Sequence, residues 1–417
     1  MQHPAATLFF CSVALFAMPL ATACAQKAAP ARAGSPQGPD PYTAGDEAAL
    51  GKAGYVSFGP FEFGTNHTTT DVEALLPNEP LVWIETAHFR IGSALPALSI
   101  TSSKDREWVT KVREELMQVA LRLPSVNPNT SRLDPWLRAH LIAHRAEALY
   151  TQVQASLGCS DADFPAAPGD DARKPEPFRG IGPYLGVPQK FTILLLQNSA
   201  SLVRYTAAYH GWGNDKPALH HDARFGTLLF GACEESQNGV LRSDLAVRTF
   251  LAYYVTHNLY QAYRSYGHNL PAWLITGLAH RSARQCSTRF PIYDLRTGNN
   301  EDGGHYPQWD KRWQLMLRNR KFEPLTTFTE RIDVDQFAME EHLQCWSLLD
   351  WLMTQHPRQT MQFLHRMKDP FHERLRFPTN DELLERQRLA MKEAFGTDAA
   401  GLEQQWRRMP TTTVARR

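Results

Sequence analysis

Four side chains in the middle of the chain have the types and spacing of a chemical site: His257, Asn258, Gln261 and Thr276. His257 and Gln261 stand four apart, so a helix puts them on one face, with Asn258 beside the first. An imidazole can hold zinc or carry a proton. A carboxamide can do neither job at neutral pH, so Asn258 cannot take a proton from water and return it. Gln261 and Thr276 offer neutral oxygens, poor zinc donors beside imidazole and carboxylate. A hydrolytic zinc site needs three protein ligands, an open fourth position and a basic carboxylate. Here a single imidazole stands where such a set would be.

Two helices must position these residues. Between Leu245 and Val255 only Arg248 and Thr249 are strongly polar. A helix apolar nearly all round is a buried helix. Ser243 or Asp244 fits its N-cap. A short break follows at Tyr266, Gly267, His268 and Asn269. Pro271 then suits the first turn of a second helix, where its missing N–H costs nothing.

Together these stretches resemble the zinc-site core of the gluzincin-type metallopeptidases, the peptidase MA-like group. That group carries His-Glu-x-x-His on a buried helix and Pro-x-Trp-Leu-x-Glu-Gly-x-Ala on the next. Here the first frame is His257-Asn258-Leu259-Tyr260-Gln261, and the second runs from Pro271 through Trp273, Leu274, Thr276 and Gly277 to Ala279. The resemblance implies His257 as the surviving metal ligand and Asn258 in the general-base position. It implies Gln261 and Thr276 in place of the second histidine and the glutamate, with Tyr254, Trp273 and Gly277 forming or backing the cleft. Glu85-Thr86-x-His88-Phe89-x-Ile91 and Phe395-Gly396-x-Asp398 with Leu402-Glu403-x-x-Trp406 are similar to the group's opening and closing segments, so the resemblance spans residues 81–407. It implies an α+β, predominantly helical, zincin-like fold: a small N-terminal mixed sheet, helices packed on a central buried helix, and a helical C-terminal half. It also implies that a strand at 225–230 edges the cleft, where an extended peptide can pair with it.

A displaced metal site can be drawn from His257, His280 and a carboxylate such as Glu234 or Glu235, with His268 nearby in the connection. The other expectation is a polar cluster in which His257, Asn258 and Gln261 satisfy one another by hydrogen bonds. On an earlier helix, His140, His144 and Glu147 have the spacing of a metal face. No glutamate adjoins His140, and exposed histidines on an amphipathic helix are the plainer reading.

Composition narrows the function classes. The 417 residues are 43% hydrophobic and 21% charged, ordinary for a soluble globular protein. Forty-four basic against 43 acidic side chains leave no field to attract nucleic acid. No phosphate-binding glycine loop or serine elbow is present. Residues 8–20 form an apolar stretch too short to span a bilayer comfortably, followed by Ala23-Cys24-Ala25, a small-x-small cleavage site. This predicts a signal peptide over 1–25, export to a periplasmic or secreted location, and no transmembrane span once the leader is removed. Lipidation through Cys24 is the competing reading. Residues 26–47, rich in Ala, Pro and Gly, read as a flexible linker. Residues 48–284 read as the zincin-like α/β part and 285–417 as a helical part of the same unit. Cys159, Cys233, Cys286 and Cys345 are compatible with two disulfides in any of three pairings, or with four free thiols.

The expected protein is an exported, catalytically inactive metallopeptidase homologue that binds a peptide, protein or envelope component and needs no cofactor. The alternative is an active zinc-dependent peptidase with displaced ligands. A third reading keeps the central helix for packing alone, in a structural envelope protein with no cleft at the helix end.

Overall fold

In the computed structural model, which describes residues 38–100, 105–167, 178–222, 226–264, 268–290, 292, 308–332, 337–371 and 377–408, the chain is α+β and predominantly helical. The main sheet has six strands: β1 (Tyr55–Ser57), β2 (Val82–Thr86), β3 (Phe89–Ser93), β4 (Phe191–Leu196), β5 (Ala218–Asp222) and β6 (Thr227–Cys233). Their spatial order is β1-β2-β3-β4-β6-β5. Strands β3, β4 and β6 run parallel, and β5 lies antiparallel to β6 at one edge. The sheet is therefore mixed, as expected. Strands β4 and β6 are buried along their whole length. This is what a continuous apolar run such as Phe-Thr-Ile-Leu-Leu-Leu dictates in parallel strands covered on both faces.

The longer helices are α1 (Arg106–Ala120), α2 (Pro135–Leu157), α3 (Ser199–His210), α4 (Asp244–Ala262), α5 (Ala272–Cys286), α6 (Trp309–Asn319), α7 (Met339–Gln355), α8 (Pro357–Met367), α9 (Asn380–Phe395) and α10 (Ala399–Arg407). Helix α2 shows how local sequence sets the ends. Asp134 accepts from the Leu137 N–H, Pro135 opens the first turn, and Gly158 closes the helix at φ 64°. Helix α4 is buried at sixteen of its 19 residues and packs against α2, α5 and β6. Burying side chains such as Phe250, Leu251 and Leu259 contributes about 1.5–3 kcal/mol each.

Such a helix starts inside protein, so its first turn needs a buried partner. Asp244 supplies one end. Arg145 on α2 donates to it from both terminal nitrogens, at 2.9 and 2.8 Å, and Trp108 Nε1 on α1 donates at 3.2 Å. Burial alone would raise the Asp244 carboxyl, but the Arg145 guanidinium outweighs it and holds it at about 2. Removing one member of a buried pair like this costs about 3–5 kcal/mol, because the other charge stays behind.

The structure corrects three expectations. The described end of the presumed linker is folded onto the body: Asp40 is buried and reaches His140 Nε2 at 3.1 Å, and Glu47–Lys52 is helical. The rest of that segment and the presumed leader lie outside the described residues. His140, His144 and Glu147 do not form a metal face. His140 is fully buried between Asp40 and the Tyr55 hydroxyl, His144 meets Arg122, and Glu147 accepts from His88 Nδ1 at 2.7 Å. Cys159, Cys233, Cys286 and Cys345 are free thiols; they sit on separate elements, and Cys233 is within 3.0 Å of the Ser236 hydroxyl instead. Among the described residues no helix is long and apolar enough to cross a membrane.

Helices α5 and α7 meet at Gly277. A Cβ there would lie 2.5 Å from the Cys345 carbonyl oxygen and 2.6 Å from Leu349 Cγ. Trp273, one turn earlier, is fully buried and donates from Nε1 to Gln387 on α9 at 3.0 Å. Gly277→Ala should therefore push α5 and α7 apart, at a cost of about 1–3 kcal/mol. Urea unfolding of the variant checks this; an unchanged midpoint would show that the contact gives way freely.

Candidate functional site

The C-terminal turn of α4 opens into a cleft of about 370 Å³. Its walls come from β5 and the loop before it, Leu228 of β6, the last turn of α4, the connection into the start of α5, and Ile332. Tyr254 holds β5 against the helix from behind. Its ring stacks on Phe230 of β6 at 4.6 Å and its hydroxyl donates to the Pro217 carbonyl at 3.3 Å.

The structure brings His257, Asn258 and Gln261 to one wall. It does not make them a mutually bonded cluster. Gln261 Oε1 accepts from the Leu270 N–H at 2.9 Å, bracing the connection. His257 Nδ1 is buried without a hydrogen-bond partner among the described residues. The expected mutual satisfaction fails because His257, Asn258 and Gln261 sit side by side and face the cleft rather than one another. Thr276 is not part of the wall. It lies one helix over, 1% exposed, its hydroxyl also without a partner among the described residues. Tyr254, Trp273 and Gly277 back the site and do not line it.

The displaced-ligand set does not assemble. His280 is fully buried away from the cleft, its Nε2 3.0 Å from His342 Nδ1 and its ring edge-on to Trp309. Glu235 accepts from the Ser199 N–H at 2.8 Å, and Glu234 is likewise absent from the cleft wall. His268 bonds the Met367 carbonyl at 2.7 Å. Among the described residues no three His, Cys, Asp or Glu side chains converge as a metal would require.

One residue of the site was missed from sequence. His221, on β5, lines the cleft with His257. Burial pulls the His257 imidazole down to about 3, with His221 adding to the effect; burial and the Lys368 charge lower His221 too. Burial therefore favours the neutral form of both rings. The strand expected at 225–230 is also displaced. Phe225 lies outside the described residues, and Gly226 to Phe230 leads into the interior strand β6. The edge is Ala218–Asp222. Its Ala-Leu-His-His-Asp lacks the apolar run or clean alternation that marks a strand. Gly226, at φ 66° with its N–H on the Asp222 carbonyl 2.8 Å away, was the legible hairpin signal.

Beneath the wall lies a cation. Lys368, directly after α8, is fully buried, and its ammonium donates to the Gln261 carbonyl at 2.6 Å and the His268 carbonyl at 3.1 Å. It ties α8 to the end of α4, where helix carbonyls carry partial negative charge. Among the described residues the wall offers imidazole and carboxamide groups with no carboxylate, so the carboxylate base of a hydrolytic zinc site has no counterpart there.

Burial pulls Lys368 from 10.5 down to about 7. Between those values the unfolded chain holds the proton more tightly than the folded one, so stability rises with pH across that window. Lys368→Met cannot titrate. From about pH 6 to about pH 9, urea unfolding should show the wild type gaining about 2–3 kcal/mol relative to the variant. A pH-independent difference would mean that Lys368 keeps its proton throughout. No protein-family model, curated protein or solved structure matches this chain.

Proposed function

We propose that this chain is an exported, catalytically inactive homologue of the peptidase MA-like metallopeptidases, with a zincin-like fold, that holds a peptide or envelope component in the cleft at the end of α4. One observation carries the reading: His257, Asn258 and Gln261, in the His-x-x-x-His frame, line a formed cleft with no carboxylate among the described residues of its wall. The mixed sheet with an antiparallel edge strand beside that cleft supports it. So does the Trp273 and Gly277 packing, which keeps the second frame's apolar half in use. An exposed strand edge also offers unpaired backbone groups to an extended ligand.

Zinc does not fit the donors present. The wall supplies two imidazoles, His221 and His257, where a catalytic site needs three ligands and a base. Those same two imidazoles favour the second reading, a metallohydrolase with displaced ligands, over one centred on His280. Metal analysis of the purified full chain after equilibration with zinc separates the two. The inactive reading expects no stoichiometric zinc and no chelator-sensitive peptidase activity. Stoichiometric zinc that is lost, together with activity, in His257→Ala would overturn it in favour of the second reading.

A further inference from the structure

We infer that the cleft beside Asn258 is a binding site for a neutral oligosaccharide, with Trp212 as the stacking platform at its mouth. The inference rests on the binding reading above and names the ligand class.

Asn258 carries most of the argument. It is only 5% exposed and it lines the cleft, with its amide atoms open to the cleft rather than sealed in protein. A carboxamide there presents two donors and an acceptor to whatever fills the cleft. A ligand that enters the cleft can satisfy them. The neighbouring groups are of the same kind. Gln261 has its Oε1 engaged by Leu270, with no partner for its amide N–H groups among the described residues, and Asn269 adds an exposed carboxamide. In the neutral form that burial favours, His221 and His257 can each donate and accept. Among the described residues of the wall, Lys216 is the one Lys, Arg, Asp or Glu.

Trp212 is the second observation. Its indole is 47% exposed at the cleft, and Ile332, also in the wall, is 51% exposed. Large apolar groups left open to water beside a polar cleft mark a contact surface. A pyranose ring matches this combination. It presents an apolar C–H face to an indole, and hydroxyl or acetamido groups that both donate and accept around its rim. Among the described residues of the wall an anionic ligand would find one lysine and two histidines whose neutral forms burial favours. An extended peptide would be read mainly by the backbone of β5, which gives Trp212 and Asn258 no required part.

The test is calorimetric titration of the full chain with two probes, a tetramer of N-acetylglucosamine and cellotetraose, alongside a pool of unstructured decapeptides. We expect at least one sugar to bind with Kd between about 10 μM and 1 mM, that is, up to about a hundredfold tighter than millimolar. Trp212→Ala and Asn258→Ala should each weaken it at least tenfold. Trp212 is exposed, so its variant should keep the wild-type unfolding midpoint and control for misfolding of the Asn258 variant. Failure of both sugars to bind overturns the inference, as does binding that both variants leave unchanged. Peptide binding that survives Trp212→Ala, without sugar binding, also overturns it while leaving the inactive-homologue reading intact. That reading fails separately, on zinc content.

Discussion

A helix buried on all sides has to have both of its ends satisfied inside the protein, and α4 does this with two unlike ionic devices. At its start, Asp244 meets the Arg145 guanidinium and the Trp108 indole. At its finish, the Lys368 ammonium takes the Gln261 carbonyl together with the His268 carbonyl. Both devices reach across the fold: Arg145 comes from α2 before it in the chain, Lys368 from the end of α8 far after it. Fixing the ends of α4 thereby ties the sheet-bearing half to the helical half.

The cleft follows from that arrangement. With α4 held at depth, its final turn emerges beside the sheet edge, and Tyr254 fastens β5 alongside through Phe230 and the Pro217 carbonyl. His257, Asn258 and Gln261 then face a space rather than protein. Their being polar is consistent with that, since the helix between Leu245 and Val255 is mostly apolar where it meets protein. The same geometry explains why Thr276, Trp273 and Gly277 do not share the wall. Thr276 is buried within α5, and the other two pack on the α7–α9 side, where Gly277 permits the backbone approach to Cys345 and Trp273 finds Gln387.

Much of the fold was legible because periodicity and caps are local. The apolar stretch from Leu245 gave α4, and Pro271 marked the start of α5. What was not legible depended on contacts between distant residues. Asp40 reads as part of a polar, proline-rich tail until His140 is seen beside it, 100 positions away. The Ala218–Asp222 strand has no pattern of its own and exists because β6 offers it an edge. His221 was invisible as a site residue for the same reason.

The sequence by itself determined that a buried helix ends in His257, Asn258 and Gln261, and that no carboxylate stands next to that histidine. Side-chain type is a local property, and no fold can turn a carboxamide into a base. The tertiary structure alone decided that these three line an open cleft without bonding one another, that His221 joins them while His280 does not, and that Lys368 sits under the wall. Each of those depends on where a second chain segment lies, and chain spacing says nothing about that until the sheet edge and the helices are packed.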